Sequence, residues 1–313
     1  MAGDLPLLGF GLPISGGWAT PDTIRRIARG AEARAYASLW TFQRVLDPVG
    51  RTLGPAHQSV LDSVVALAYV AAHTDRIRLG TATICAPFTA PALLAKTLAS
   101  LDVLSGGRLT AGVGMGWLPE EYAAAGVPYE RRGARMDEYL RCLEALWTQD
   151  PVEFAGEFYT VPRAHMAPPP VQRPHPPVLL GAAAAPALRR AGRLANGWIC
   201  SSQDLANLGA SIATVRAGAR DAGRDPAALQ IVVRGVVDLV DEHPGDGRRP
   251  LHGTRAQVLD DIRALGAQGV TEVFLDLNLS PRVGFPDVDA GEAVEHAERV
   301  LDAFAPTRPR PSA

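Results

Sequence analysis

Residues 77–117 read IRLGTATICAP (77–87), FTAPALLAKTLASLDVLSGG (88–107) and RLTAGVGMGW (108–117), and this stretch decides the fold. The first piece has no charge between Leu79 and Pro87, which predicts a strand buried on both faces. The second piece repeats leucines at helical spacing and ends at Gly106 and Gly107, a common helix terminator. The third piece is a second short apolar strand. Together they predict a strand–helix–strand unit with parallel strands.

The same alternation continues on both sides of this unit. Residues 7–13 and 38–43 predict two earlier strands, with Thr20 as the N-cap and Pro21 as the first residue of the helix between them. Four later strands are predicted at 178–182, 197–201, 229–240 and 272–277. Eight strands, each followed by a helix, predict an α/β fold, a closed (β/α)8 TIM barrel. An open doubly wound sheet is the alternative.

Residues 150–177 interrupt the alternation. They contain two short β-like pieces, VEFAG (152–156) and EFYTV (157–161), and then many prolines up to Pro177. The prolines exclude a helix and favour an extended path. The aromatic residues of this segment need an apolar surface, so we expect an insertion packed on the barrel. We expect residues 1–313 to form a single barrel domain with a disordered tail at 306–313.

Composition is typical of a globular enzyme. The 313 residues are 47% hydrophobic and 20% charged, with a formal net charge of −2. This charge gives no electrostatic reason to expect binding to nucleic acid or to an anionic membrane. The N-terminus lacks the basic region of a secretory signal, and the three distant cysteines suggest reduced thiols and no metal site, so we expect a cytoplasmic protein.

Active sites of such barrels lie at the C-terminal ends of the strands. The sequence GAAAAP (181–186), with Ser201 and Ser202 at the end of the next strand, is typical of a phosphate cradle at a helix N-terminus. The alternative is a tight turn with small residues for packing. Trp40, Phe42 and Trp117 at strand exits would line an apolar pocket for a planar ring, or would pack in the core.

The glycines of GVGMG (112–116) do not form a nicotinamide-binding Rossmann fingerprint. That fingerprint needs the spacing G-x-G-x-x-G at the start of a helix, followed by an acidic residue about 20 positions later. Neither the spacing nor the following LPEEY fits it.

Several segments together resemble the bacterial-luciferase-like monooxygenase superfamily, and within it the branch that uses the deazaflavin coenzyme F420. The matching segments are SLWTFQR, the stretch 76–117, YAAAGVPYERRGARMDEYLRCLEALWT, EFYTVP, PVQRPHPPVLLG, ALRRAGRLANGWICSS and HGTRAQVLDDIRALGAQGV. The resemblance implies a (β/α)8 barrel with an inserted segment. It also implies a cis peptide bond at Ala82–Thr83 against the central ring of the cofactor. The other cofactor-binding residues that it implies are Gln43, Gly114, Met115, Gly181, Ala182, Ala183, Ser201 and Ser202.

The catalytic residues differ from those of some relatives. Some deazaflavin dehydrogenases of this family have an Asp-His pair where this chain has Gln43 and Arg44, and a Glu where it has Trp117. Arginine stays protonated and cannot shuttle a proton, but it can hold an anionic group or stabilise negative charge. A proton donor would be His57, Glu120, Glu121 or solvent. We therefore take Arg44, His57 and Glu121 as candidate catalytic residues, although a loop histidine is more often simply exposed.

The resemblance implies an oxidoreductase that moves a hydride between reduced F420 and a small organic substrate. Because the Asp-His pair is missing, we expect reduction of a C=C or C=N bond. One alternative is an FMN-dependent monooxygenase, and another is a non-catalytic flavin-binding or deazaflavin-binding protein. Relatives usually form homodimers, and the apolar helix around residues 64–70 would offer the interface.

Overall fold

The computed structural model describes residues 5–51, 53–201, 205, 208–243, 245 and 247–306. Its central sheet contains eight parallel strands, which we number β1 to β8: Leu7–Gly11, Ser38–Thr41, Arg78–Thr81, Leu109–Gly114, Val178–Gly181, Gly197–Ser201, Gln230–Val236 and Glu272–Asp276. Neighbours in the chain are neighbours in the sheet, and β1 pairs with β8. The sheet is therefore a closed barrel. The TIM-barrel prediction is confirmed, and the open doubly wound sheet is excluded.

The helices surround the barrel. They are α1 Pro21–Ala33, α2 Ser63–Ala71, α3 Pro91–Leu104, α4 Pro119–Ala124, α5 Arg132–Thr148, α6 Ala185–Leu194, α7 Leu208–Asp221, α8 Arg255–Ala267 and α9 Ala290–Ala303, with 3-10 turns at Pro55–His57 and Ala86–Phe88. As predicted, Thr20 caps α1, because its hydroxyl accepts a hydrogen bond from the N–H of Thr23 (3.2 Å). Within the described ranges, no helix is long and apolar enough to cross a bilayer.

The predicted strand 77–87 is broken in the structure. β3 ends at Thr81, and a short strand at Ile84–Cys85 resumes the pairing with the end of β4. The peptide bond between Ala82 and Thr83 is cis, which confirms the expectation from the resemblance. The predicted strand 229–240 is also divided, because after β7 the residues Asp238–Leu239 pair with His252–Gly253. The segment after β4 contains the short helix α4.

The inserted segment packs on two helices. Its strands Val152–Ala155 and Thr160–Ala164 form an antiparallel pair. Buried Glu138 of α5 accepts hydrogen bonds from three consecutive N–H groups, those of residues 157–159 (2.8, 2.8 and 2.7 Å). Buried Asp102 of α3 likewise accepts from the N–H groups of residues 171 and 172 (2.7 and 3.0 Å). These carboxylates fix the insertion against the outer face of the barrel, as expected.

Side chains that point into the barrel form layers, because successive residues of a strand point to opposite faces. One closed layer consists of Trp40, Leu179, Ile199, Val232 and Phe274. The indole of Trp40 stacks on Phe274 with the ring centroids 5.3 Å apart. A Cβ at Gly80 would lie 2.4 Å from the Trp40 ring, so the indole needs a glycine on the neighbouring strand. This layer is the floor beneath the C-terminal mouth of the barrel.

Candidate active site

Two residues beyond the floor layer, each strand reaches the C-terminal mouth of the barrel, and we call the residues at these positions the mouth layer. The two sides of the mouth layer differ in the size of their residues. On one side the chain has Ala82 just after β3, Gly114 on β4, Gly181 on β5 and Ser201 on β6, and we call these four residues the small-residue arc. Just after β2 and on β7 and β8, the mouth layer consists of Phe42, Arg234 and Asp276. We call these three residues, with Arg44 and His57 from the segment after β2, the polar arc.

Thr83 fills the gap between two glycines of the small-residue arc. A Cβ at Gly114 would lie 2.6 Å from Thr83 Oγ1, and a Cβ at Gly181 would lie 3.0 Å from Thr83 Cγ2. The N–H of Cys85 donates to Gln43 Oε1 (2.8 Å), which fixes the chain immediately after Thr83. The turn that carries Thr83 can therefore lie flat against the barrel wall, because the two glycines have no side chains there. Met115, at the end of the adjacent strand, is half-buried.

The predicted phosphate cradle lies where β5 passes into α6. Ala182 is half-buried and its carbonyl accepts from Trp198 Nε1 (2.8 Å), whereas Ala183 is exposed. Ala184 is the N-cap of α6, and no described side chain caps this helix. Pro186 has no N–H and the N–H of Ala187 donates to the Ala184 carbonyl (2.9 Å), so the N–H of Ala185 is left available to an anion at the positive end of the helix. Of the two predicted serines, Ser201 ends β6, and Ser202 lies outside the described residues.

Arg44 and Glu121 form a buried ion pair. Arg44 Nη1 lies 2.9 Å from Glu121 Oε2, and the two side chains are only 8% and 3% exposed. Glu121 Oε1 also accepts from the N–H of Val45 (2.7 Å). The guanidinium of Arg44 lies 5.2 Å from the ring centroid of Trp117. Because the carboxylate of Glu121 is buried and engaged on both oxygens, the prediction that it donates a proton does not agree with the geometry.

His57 differs from a simply exposed loop histidine. Burial, with the positive charges of Arg44 and Arg234, lowers its pKa from 6.5 to about 4, and Asp47 and Asp276 only partly oppose this. The imidazole is therefore neutral near pH 7, and it is a weak base.

Sequence reasoning missed the pair formed by Arg234 and Asp276. Arg234 Nε donates to Asp276 Oδ2 (2.6 Å), and the guanidinium lies 4.5 Å from the ring centroid of Phe42. Asp276 Oδ1 accepts from the backbone N–H and from Nδ2 of Asn278 (3.0 and 2.7 Å). One signal was present in the sequence. Arg234 follows Val232 by two residues on the same strand, so both side chains point into the barrel.

The three predicted pocket aromatics do not form one wall. Trp40 is 1% exposed in the closed floor layer, so its assignment to an open pocket is wrong: its indole N–H donates to Glu272 and Ser38 deeper in the barrel. Phe42 is buried beneath Arg234, whereas Trp117 is 55% exposed above Arg44. Only Trp117 presents a largely open ring at the mouth.

Comparison with known proteins identifies the class of protein. Residues 9–244 match the family model described as luciferase-like monooxygenase. An uncharacterised protein of Mycobacterium tuberculosis is 34% identical over 290 residues, which are 89% of this chain and 92% of that relative. The chain therefore belongs to the luciferase-like monooxygenase family, whose members are oxidoreductases.

Two more distant relatives have named activities. The FMNH(2)-dependent dimethylsulfone monooxygenase of Pseudomonas putida is 30% identical over 201 residues, covering 63% of this chain and 53% of that protein. The F420-dependent glucose-6-phosphate dehydrogenase of Gordonia bronchialis is 35% identical over 178 residues, covering 55% and 52%.

Solved structures share the fold. The monooxygenase RslO1 of Streptomyces bottropensis has a TM-score of 0.79 at 24% identity, covering 95% of this chain and 97% of that one. An F420-dependent secondary alcohol dehydrogenase has a TM-score of 0.77 at 16% identity, covering 96% and 99%.

Proposed function

We propose that this protein is an F420-dependent oxidoreductase that transfers a hydride from the reduced deazaflavin to a C=C or C=N bond of a small organic substrate. The observation that carries the proposal is the small-residue arc, which leaves one side of the barrel mouth without bulky side chains and leads to the uncapped start of α6. A flat ring with a phosphorylated tail needs both features.

The residues present fit such a cofactor. Ala82, Thr83 and Gly114 would contact the ring, with Gln43 and Met115 beside it. Gly181, Ala182, Ala183 and Ser201 would hold the phosphate, mainly through backbone N–H groups, and Ser202 would add a donor. The bound deazaflavin supplies a hydride at a ring carbon, and the protein supplies orientation and a dry surface.

The polar arc favours reduction of C=C or C=N over oxidation of an alcohol. Alcohol oxidation needs a base that takes the hydroxyl proton. His57 is a weak base because of its low pKa, and Glu121 is paired with Arg44. Reduction of a polarised double bond requires only that the developing charge be stabilised and that a proton arrive afterwards, which solvent can provide.

An FMN-dependent monooxygenase is the second candidate, and the P. putida relative favours it. Such an enzyme would consume oxygen and need reduced FMN from a separate reductase. A protein that binds the cofactor without catalysis is a third candidate. It would show saturable binding of cofactor without any substrate-dependent oxidation.

Cofactor titration tests the proposal. Purified protein is titrated with F420 and with FMN, each in the oxidised and reduced forms, and binding is followed by fluorescence under anaerobic conditions. We expect saturable binding of F420 and much weaker binding of FMN. Tight retention of FMN together with no binding of F420 would reject the proposal in favour of the monooxygenase.

We further propose a cytoplasmic homodimer that forms through α2. Val65 of α2 and Leu61 just before it are 69% and 42% exposed, so they offer aliphatic surface that a dimer interface would bury. Sedimentation velocity at micromolar concentration should give the mass of a dimer, and Val65→Glu should shift the equilibrium to monomer. A wild-type protein that sediments as a monomer would contradict this part.

A further inference from the structure

Four buried polar atoms at the mouth have no hydrogen-bond partner among the described residues. They are Arg44 Nε, Asp47 Oδ1, His57 Nδ1 and Arg234 Nη2. Arg234 Nη2 lies 2.5 Å from Asp276 Oδ2 in the ion pair, and the hydrogen bond to that oxygen is donated by Nε (2.6 Å). Buried polar groups in folded proteins normally have partners, so this cluster is a place where a bound ligand or ordered water would supply them.

The charges of the polar arc argue against an anionic ligand. Arg44 is paired with Glu121, Arg234 is paired with Asp276, and Asp47 adds a third carboxylate against two guanidinium groups. A carboxylate on the substrate would compete with these existing partners. A neutral carbonyl oxygen would accept a guanidinium N–H without adding charge to the site. The prediction that Arg44 holds an anionic group of the substrate therefore does not agree with the charges of the site, and we consider a neutral group instead.

Of the two arginines, Arg234 is better placed to contact a substrate. The side chain of Arg44 is 8% exposed, with a terminal nitrogen on Glu121 and its guanidinium plane near Trp117. The side chain of Arg234 is 14% exposed and points into the barrel from β7, the strand next to β6 of the small-residue arc. Asp276 and Phe42 fix its guanidinium from two sides, so little entropy is lost when a ligand binds.

We infer that Arg234 donates a hydrogen bond to a neutral carbonyl oxygen of the substrate, and that the bond reduced is a C=C bond conjugated with that carbonyl. The inference rests on the proposed function. When bound, the reduced deazaflavin would supply the hydride that adds to the β-carbon. Arg234 would hold the carbonyl oxygen as the π electrons move onto it and it becomes an enolate oxygen. Water then protonates the α-carbon. The substrate gains a hydride and a proton, and the cofactor is oxidised by two electrons.

The guanidinium of Arg234 is already oriented by Asp276 Oδ2 (2.6 Å) and by the ring of Phe42 (4.5 Å). An oxygen that becomes negative beside it in the transition state would be stabilised by a donor that needs no reorganisation.

The first test measures binding without turnover. Protein saturated with oxidised F420 is titrated by calorimetry with cyclohexanone, cyclohexanol and cyclohexanecarboxylate. We expect the ketone to bind most tightly. The key variant is the double substitution R234M/D276N, since Arg234→Met alone would leave Asp276 buried without a counter-charge. It should weaken binding of the ketone about 10- to 100-fold, the usual effect of losing a hydrogen bond to a charged donor.

The matched control is R248M/D261N. Arg248 and Asp261 also form an arginine–aspartate pair (2.6 Å), in which the carboxylate accepts a backbone N–H, from Leu251 (2.7 Å). This control should leave the affinity for cyclohexanone within about twofold. Tightest binding of the carboxylate, or equal loss of affinity in both double variants, would overturn the inference.

The second test measures turnover. Protein with reduced F420 is mixed anaerobically with 2-cyclohexen-1-one or with 2-cyclohexen-1-ol, and cofactor oxidation is followed by absorbance. We expect oxidation only with the enone, and a rate about 10- to 100-fold lower in R234M/D276N. If the wild type binds F420 but neither probe oxidises it, the inference fails alone. If the wild type does not bind F420, the proposed function fails, and the inference fails with it.

Discussion

The two sides of the barrel mouth have the same backbone architecture and opposite side-chain chemistry. The small-residue arc presents glycine and alanine around Thr83, so that backbone forms the surface. The polar arc fills the equivalent positions with Phe42, Arg234 and Asp276, which are braced by further pairs such as Arg44–Glu121. The strands hold both sets of residues in place, and residue size decides which side can accept a flat ring.

The difference in side-chain size assigns cofactor binding to the small-residue arc and substrate recognition to the polar arc. On the small-residue arc, any added side-chain atom takes space from a ligand. On the polar arc, any removed atom leaves a buried charge or donor without its partner. Substitutions should therefore affect cofactor binding on one side, and stability or substrate recognition on the other.

The largest effect is expected for Glu121→Gln. This substitution leaves Arg44 buried without a counter-charge, so we expect the free energy of unfolding to fall by about 3 kcal/mol. Chemical denaturation measures the change. The neighbouring Glu120→Gln is the matched control, because Glu120 lies at the surface with Arg51, and it should cause no measurable change. Equal effects of the two substitutions would contradict a structural role of the Arg44–Glu121 pair.

The next effect concerns the small-residue arc. Gly114→Val places a side chain against Thr83 Oγ1, so we expect F420 affinity to fall roughly 10- to 100-fold. Fluorescence titration measures the dissociation constant. The control is Gly209→Ala in α7, where a Cβ would meet only Gln268 Oε1, at 3.9 Å. Unchanged affinity in a folded Gly114→Val protein would place the cofactor elsewhere.

A smaller effect is expected from the pH dependence of stability. Because the folded-state pKa of His57 is about 4 and the ordinary value is 6.5, the unfolded chain binds the proton more tightly. Stability should therefore fall as the pH drops from about 6.5 towards 4. Burial also lowers the pKa of His296, which acts in the same direction. His57→Gln should reduce the slope of Tm against pH. An identical slope in the wild type and this variant would refute the depressed pKa.

The smallest effect is expected for Trp117→Ala. The ring is 55% exposed and its described partner is the Arg44 guanidinium, so the loss of this cation–π contact should cost under about 1 kcal/mol. The same denaturation experiment measures it. A cost as large as that of Glu121→Gln would mean that Trp117 is a structural part of the buried pair.

The sequence predicted the small-residue arc better than the polar arc, for a physical reason. Runs such as GVGMG and GAAAAP are local, and they show directly where strand ends lack bulky side chains. The pair Arg234–Asp276 joins strands 42 residues apart, and a single arginine in VVRGV gives no sign of its partner. The same limit applies to Glu121, which looks like a surface acid in LPEEY until the fold brings Arg44 against it.

The strand boundaries show a related limit. The run IRLGTATICAP has no charge between Leu79 and Pro87 and predicts one strand, yet β3 stops at Thr81 before the turn that carries Thr83. Local hydrophobicity does not distinguish a strand from a buried turn, because both exclude water. The cis bond at Ala82–Thr83 was expected only through the resemblance to relatives.

A crystal structure of the protein with bound F420 tests the central claim most directly. The account predicts the deazaflavin ring against Thr83 and Gly114, with its phosphate within hydrogen-bond distance of the backbone N–H groups of residues 183–185 at the start of α6. A ring bound outside the small-residue arc, or a phosphate held away from the start of α6, would contradict it.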